Sequence, residues 1–225
     1  MPNLNSEIAV VIPSASPSLL GNRSLLDIFG KPLIEHQIAA IYNILPGCKI
    51  VLVGGYQINL LRKVCKKFSN IKLIDNKQWE NSGVAHSIAL GAQETGRKKI
   101  LIIYGDLIFT SKSIHDMIET LDGSYLLTGA SPKKSKMPGI NANIDGKISS
   151  MAFGLKTPWL QMAYFTDSDK RIFLETATRK GRSSWLFHEV INKAIDSGLS
   201  VSLSKTKSLV RDLDTEKDYQ SLIED

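Results

Sequence analysis

Ile8-Ala9-Val10-Val11-Ile12 is followed by Pro13-Ser14-Ala15-Ser16-Pro17-Ser18-Leu19-Leu20-Gly21-Asn22, and then by Arg23-Ser24-Leu25-Leu26-Asp27-Ile28-Phe29-Gly30-Lys31-Pro32-Leu33. The first run is apolar throughout, as a strand covered on both faces requires. A turn-rich loop comes next. The chain then returns through a short strand into a helix that begins near Pro32, a residue suited to a first helical turn. Leu33, Ile34, Gln37, Ile38, Ile41 and Leu45 recur there at helical spacing. A buried strand, a loop and a helix in this order mark the start of an open α/β sheet. In such sheets the loop after a strand lies at the carboxyl edge, where ligands bind.

Outward from this segment the first half keeps the same rhythm. Pro46-Gly47 ends the helix, and Lys49–Val53 reads as the second strand. Gln57–Phe68 reads as a helix, Ile71–Ile74 as a strand, Ser82–Glu94 as a helix and Ile100–Ile103 as a buried strand ending in Tyr104-Gly105-Asp106. The alternation predicts a Rossmann-like, doubly wound, mostly parallel sheet with right-handed crossovers. Past Ser111 the rhythm loosens. Helices are expected near Ile114–Leu121, Asp169–Thr178, Ser184–Ser197 and Thr215–Ile223. Strands are expected at Tyr125–Gly129, Ile140–Ile144, Lys147–Met151, Trp159–Phe165 and Gly198–Leu203, with a hairpin turn at Asp145-Gly146. With no repeats and no low-complexity linker, residues 1–225 read as one domain. Its regular half covers about 1–110 and its looser half about 111–225.

The 225 residues can bury a sizeable core. The formal charge of +6 is modest and scattered. Clusters at Arg62, Lys63, Lys66 and Lys67 and at Lys133, Lys134 and Lys136 read as a solvated helix face and a loop, not as the dense stripe of a nucleic-acid binder. Cys48 and Cys65 have neither metal-type spacing nor a catalytic setting, which fits a reducing compartment. No run approaches the ~20 apolar residues of a membrane span, and Ile8–Ile12 is too short for a signal sequence. The expectation is a cytoplasmic protein with no nucleic-acid partner.

Three places carry chemistry. The loop Ser14–Asn22 offers backbone N–H groups and small side chains at the carboxyl edge, the kind of concave loop that binds phosphate, or else a simple connector. Arg23 adds a permanent charge with a bidentate fork. Asp106 directly follows an apolar strand, so it is either a turn residue or a ligand. Asp212-Leu213-Asp214 puts two carboxylates on one face of an extended segment, although Asp214 can instead cap the helix that follows. Ser82 is a candidate N-cap of its helix. His86 has no nameable partner for a dyad. In Trp185–Asn192 the spacing of Leu186, Val190 and Ile191 indicates core, and His188 and Glu189 are left to face a ligand.

These segments resemble the sugar-nucleotidyltransferase superfamily, whose module is the MobA-like NTP transferase domain of GT-A-like fold, and within it the bacterial phosphocholine cytidylyltransferases. The match runs through Leu25–Pro32, Gly54-Gly55-Tyr56, Asn81–Ile88, Asp106 and Arg211–Tyr219. The family loop reads Gly-x-Gly-x-Arg and ends in Pro-Lys. Here it is shortened, and Arg23 stands in the lysine position. The resemblance implies transfer of a nucleotidyl group from a nucleoside triphosphate, CTP in the favoured case, to a phosphorylated sugar or alcohol, with release of pyrophosphate, for polysaccharide synthesis. It implies Mg²⁺ on Asp106 with Asp212 or Asp214, Arg23 and Asp106 as catalytic residues, and Ser14, Ala15, Ser16, Gly21, Arg23, Gly83 and Ser87 around the nucleotide. Lys31 lies beside the same edge, a backbone role falls to Gly54-Gly55-Tyr56, and Trp159 and Tyr164 are candidates to line an acceptor pocket suited to a cation such as choline. Two alternatives remain at this stage: a degenerate protein that binds a nucleotide or sugar phosphate without turnover, and a GT-A glycosyltransferase. Oligomeric state is not legible.

Overall fold

The structure, a computed structural model, describes residues 7–119, 122–130 and 137–224. The basic cluster Lys133, Lys134 and Lys136 lies outside the described residues. Strand β1 (Ile8–Ser14) is buried along its whole length. After a loop and a single 3₁₀ turn at Arg23–Leu25, a small hairpin of β2 (Asp27–Ile28) and β3 (Lys31–Pro32) leads into helix α1 (Leu33–Ile44). Strand β4 (Lys49–Gly54), α2 (Ile58–Cys65), β5 (Ile71–Asp75), α3 (Val84–Glu94) and β6 (Lys99–Ile103) complete the regular half. Then come β7 (Leu107–Phe109), α4 (Ser111–Ile118), β8 (Ser124–Gly129), β9 (Pro138–Ala142), β10 (Ile148–Phe153), β11 (Thr157–Pro158) and β12 (Met162–Phe165). The chain ends through α5 (Asp167–Ala177), α6 (Phe187–Ile195), β13 (Val201–Thr206), β14 (Val210–Asp212) and α7 (Glu216–Glu224).

Seven strands form one sheet in the order β13-β8-β12-β6-β1-β4-β5. Strands β6, β1, β4 and β5 run parallel, as do β13 and β8, whereas β12 is antiparallel to both neighbours. The α/β, doubly wound, mostly parallel class therefore holds. The second half of the chain supplies β8, β12 and β13 to the same sheet.

Alternation along the strands decides which helix covers which face. Val10 and Ile12 of β1 point to a core built with Ile34, Ile38 and Ile41 of α1, Leu61 of α2 and Ile114 and Met117 of α4. Val11, between them, points to the opposite core with Ile88 and Ala92 of α3, Phe173 of α5 and Phe187 and Val190 of α6. Each fully buried Val, Ile or Phe contributes roughly 1.5–3 kcal/mol, so a one-residue slip of β1 would exchange the two cores. A third cluster, Ile28, Leu33, Leu213 and Leu222, docks α7 against the first hairpin. No helix among the described residues is long and apolar enough to cross a membrane.

Several expectations shift. Trp159–Phe165 is not one strand, because Gln161 takes a positive φ of 57° and breaks it before β12. Ser82 does not cap α3. Gly83 holds the N-cap position, and the Ser82 hydroxyl accepts from Asn76 Nδ2 at 2.9 Å. Asp145-Gly146 does form the β9–β10 turn, with Gly146 at φ 80°. Arg62, Lys63, Lys66 and Lys67 are exposed around α2. Burial pushes the thiols of Cys48 and Cys65 up to about 12 and about 11, because desolvation disfavours the thiolate.

Candidate functional site

At the carboxyl end of β1 the chain leaves the sheet through a loop that satisfies much of its own hydrogen bonding. Ser18 and Gly21 exchange backbone bonds at 2.8 and 3.0 Å, and the Ser18 hydroxyl accepts from the Leu20 N–H at 3.1 Å. Gly21 sits at φ 80°, the left-handed region that this turn needs glycine to reach. The N–H groups of Ser18, Leu20 and Gly21 are thereby spent inside the loop. Ala15 and Ser16, one turn earlier, stay on the wall of a cleft.

Asn22 ties this loop to the sheet. Its Oδ1 accepts from the Ser14 hydroxyl at 3.0 Å and the Ser24 N–H at 3.1 Å, and its Nδ2 donates to the carbonyls of Ser14 and Tyr56 at 3.2 and 3.1 Å. The Ser24 hydroxyl donates to the Gly105 carbonyl at 2.7 Å, and the Gly105 N–H donates to the Pro13 carbonyl at 3.1 Å. Asn22 and Ser24 are 3% and 1% exposed, so these bonds form out of competition with water. The network locks the first loop onto the end of β6, beside Asp106. Sequence reasoning passed over both residues.

Asp106 and Asp214 arrive together through a small ladder. Strands β7 and β14 pair antiparallel, and the Leu213 N–H donates to the Asp106 carbonyl at 3.0 Å. Arg23 spans the two carboxylates, with Nη2 at 2.8 Å from Asp106 Oδ2 and Nη1 bonded to Asp214 Oδ1. Asp214 does not cap α7; Thr215 does, its hydroxyl accepting from the Asp218 N–H at 3.2 Å while its own N–H donates to Asp218 Oδ2 at 3.0 Å. Asp212 is 4% exposed within the ladder, opposite Leu107, and is absent from the lining of the clefts described next.

Two clefts meet at this cation. One, of about 510 Å³, is bounded by Ser14, Ala15, Ser16, Arg23, Ser87 and Asp106. The other, of about 610 Å³, runs from Arg23, Asp106 and Asp214 to Phe153, Trp159, Leu186 and His188. Val84 and Tyr104 line both. In the second cleft Trp159 stacks on Phe187 with centroids 4.5 Å apart, and Phe153 meets His188 edge-on at 5.1 Å. Desolvation lowers the pKa of His188 against an opposing pull from Glu189, whose carboxylate accepts from the Leu186 N–H at 2.6 Å.

The residues expected at the site divide accordingly. Ser14, Ala15, Ser16, Arg23, Ser87 and Asp106 gather on one cleft, and Asp214 joins on the other. Gly21 stays in its turn, and Gly83 belongs to packing. Its N–H donates to the Ser183 carbonyl at 2.8 Å, and a Cβ there would lie 2.1 Å from the Trp185 carbonyl oxygen. Ser87 is held by the buried amide of Asn76 at 3.0 Å. Gly55 admits Trp79 against the backbone, and the Tyr56 N–H donates to the Ala15 carbonyl at 2.8 Å, the backbone role expected of that segment. Trp159 reaches the second cleft, whereas Tyr164 is fully buried in β12 and Lys31 is exposed outside both clefts. His86 lines a separate depression between α3 and the end of α5.

Asp106 and Asp214 are hard oxygen donors that already hold a cationic group between them. That donor set fits a hard divalent ion such as Mg²⁺.

The sequence model of the MobA-like NTP transferase domain matches residues 15–139. No curated protein matches the chain by sequence. Among solved structures, CTP:phosphocholine cytidylyltransferase from Streptococcus pneumoniae superposes with a TM-score of 0.78 at 17% identity, over 97% of this chain and 98% of that one. The inositol-1-phosphate CTP transferase from T. maritima gives 0.77 at 14%, over 96% and 94%. A UDP-glucose pyrophosphorylase complexed with UDP-glucose gives 0.76 at 15%, over 97% of each chain. At these identities the superpositions carry the fold.

Proposed function

The chain belongs to the MobA-like NTP transferase domain family, and from that premise we propose that it joins a nucleoside triphosphate to a phosphorylated sugar or alcohol and releases pyrophosphate. The observation that carries this reading is the meeting of two clefts at one charged wall. Transfer between two phosphates needs both reactants held in line across a centre that neutralises charge. Arg23 and Asp106 line both clefts, so a triphosphate in the first and a phosphate acceptor in the second would face each other there.

In this reading Ser14–Ser16 and Ser87 flank the nucleotide, and the Asn22–Ser24–Gly105 network keeps the loop rigid at no cost on binding. Asp106 and Asp214 would hold Mg²⁺, which supplies neutralisation of the triphosphate charge when bound. Arg23 contributes a permanent positive charge at the shared wall. The second cleft, walled by Phe153, Trp159 and His188, suits an acceptor whose non-phosphate end packs against aromatic faces. CTP is the favoured donor by analogy with two of the similar structures, a CTP:phosphocholine cytidylyltransferase and an inositol-1-phosphate CTP transferase.

Titration of the protein with CTP, UTP, ATP and GTP in Mg²⁺ by calorimetry tests the donor site. Base-selective binding that disappears with a metal chelator supports it; no binding of any of the four excludes it. A second reading, nucleotide binding without turnover, is favoured by one observation: Ser18, Leu20 and Gly21 spend their N–H groups inside the loop. Tight CTP binding with no pyrophosphate released across a panel of phosphorylated acceptors would select it.

A further inference from the structure

We propose that Arg23 is the resident counter-ion of the Asp106–Asp214 pair and that a divalent cation takes its place there, releasing the guanidinium into the cleft. The inference rests on the nucleotidyltransferase reading only for the identity of the anion that the freed arginine would meet.

Two carboxylates brought together by the β7–β14 ladder repel each other unless a cation lies between them. Arg23 is that cation: its two terminal nitrogens reach one carboxylate each, on segments more than a hundred residues apart in sequence. The contact is not sealed. Side-chain exposure is 27% for Arg23 and 30% for Asp214, against 7% for Asp106, so an ion entering from the cleft reaches the same oxygens. A guanidinium brings one positive charge to these two carboxylates, whereas a divalent ion brings two.

Arginine and lysine at this position would engage the pair with different geometry. A planar guanidinium spans two acceptors at fixed geometry, whereas an ammonium is a point charge with three rotatable donors. Arg23 therefore holds the carboxylates at a spacing set by its own plane. A metal bound by the same two oxygens excludes it. Competition of this kind is reciprocal: whatever weakens the arginine's hold tightens the metal's.

The test uses Mn²⁺ alone, with no nucleotide, and reads free Mn²⁺ by electron paramagnetic resonance. Arg23→Gln is expected to bind Mn²⁺ tighter than the unmodified protein by about tenfold or more, about 1.4 kcal/mol. Arg23→Lys, which keeps a charge but loses the fork, should fall between the two. In Arg23→Gln/Asp214→Asn the gain should vanish. Thermal melts followed by circular dichroism establish that each variant is folded, and Arg23→Lys carries the comparison if Arg23→Gln is not. Equal or weaker Mn²⁺ binding in folded Arg23→Gln and Arg23→Lys overturns the proposal, as does a gain that survives Asp214→Asn. Because no turnover is measured, a protein that never releases pyrophosphate would refute the proposed function and leave this inference standing.

Discussion

Gln37 Nε2 lies 2.6 Å from the Leu107 carbonyl oxygen, and the same amide donates to the Tyr104 carbonyl at 2.9 Å. One buried side chain from α1 thus grips both ends of the Tyr104–Leu107 turn that presents Asp106. Gln37 is 2% exposed and interrupts an otherwise apolar helix face.

Gln37→Leu keeps the volume and removes both bonds. It should destabilise the fold by about 1–3 kcal/mol, because the Leu107 carbonyl loses this buried donor and the Tyr104 carbonyl keeps only the 3.4 Å bond from the Leu107 N–H. Denaturant titration measures the loss. Turnover should fall further than stability alone explains, since the turn carrying Asp106 would be free to shift.

Gly83→Ala places a methyl where the Trp185 carbonyl oxygen stands at 2.1 Å and the Ser184 carbonyl oxygen at 2.5 Å. Neither is the flexible tip of a side chain, so the 183–185 segment must move. A loss of about 1–3 kcal/mol is expected from overpacking, read as a lower Tm. Displacement of that segment should also loosen Leu186 and His188 on the second cleft.

Desolvation lowers the pKa of His188 and of His86. In the unfolded chain both titrate near about 6.5. As the pH falls through that value the unfolded state takes up protons that the folded state refuses, so stability declines with acid between about 6.5 and the depressed folded values. Replacing both residues with glutamine should flatten the slope of stability against pH in that window. A slope unchanged in the double variant would contradict the assignment.

The central fold was legible because its signals are local. Ile8–Ile12 could only be a buried strand, and the spacing from Leu33 to Leu45 could only be an amphipathic helix. Asp106 stood out as a carboxylate directly beyond an apolar run, whereas Asp214 was singled out, together with Asp212, only through the resemblance of Arg211–Tyr219 to a family segment. What escaped depends on contacts distant in sequence. Asn22 looks like any loop residue until Tyr56 and Ser14 are seen to converge on it. Gln37 left a trace, as the one polar residue on the buried stripe of α1, yet nothing in sequence names Tyr104 and Leu107 as its partners. Strand pairing buries Tyr164 completely, and it sets Asp212 opposite Leu107, away from both cleft walls, which residue type alone could not say.

Mg²⁺-dependent pyrophosphate release, measured with CTP and a panel of phosphorylated alcohols and sugars on the unmodified protein and on Asp106→Asn, tests the account most directly. The account predicts release that requires both substrates and falls at least about a hundredfold in the variant, while the melting profile stays cooperative. Release at the same rate from folded Asp106→Asn would contradict it.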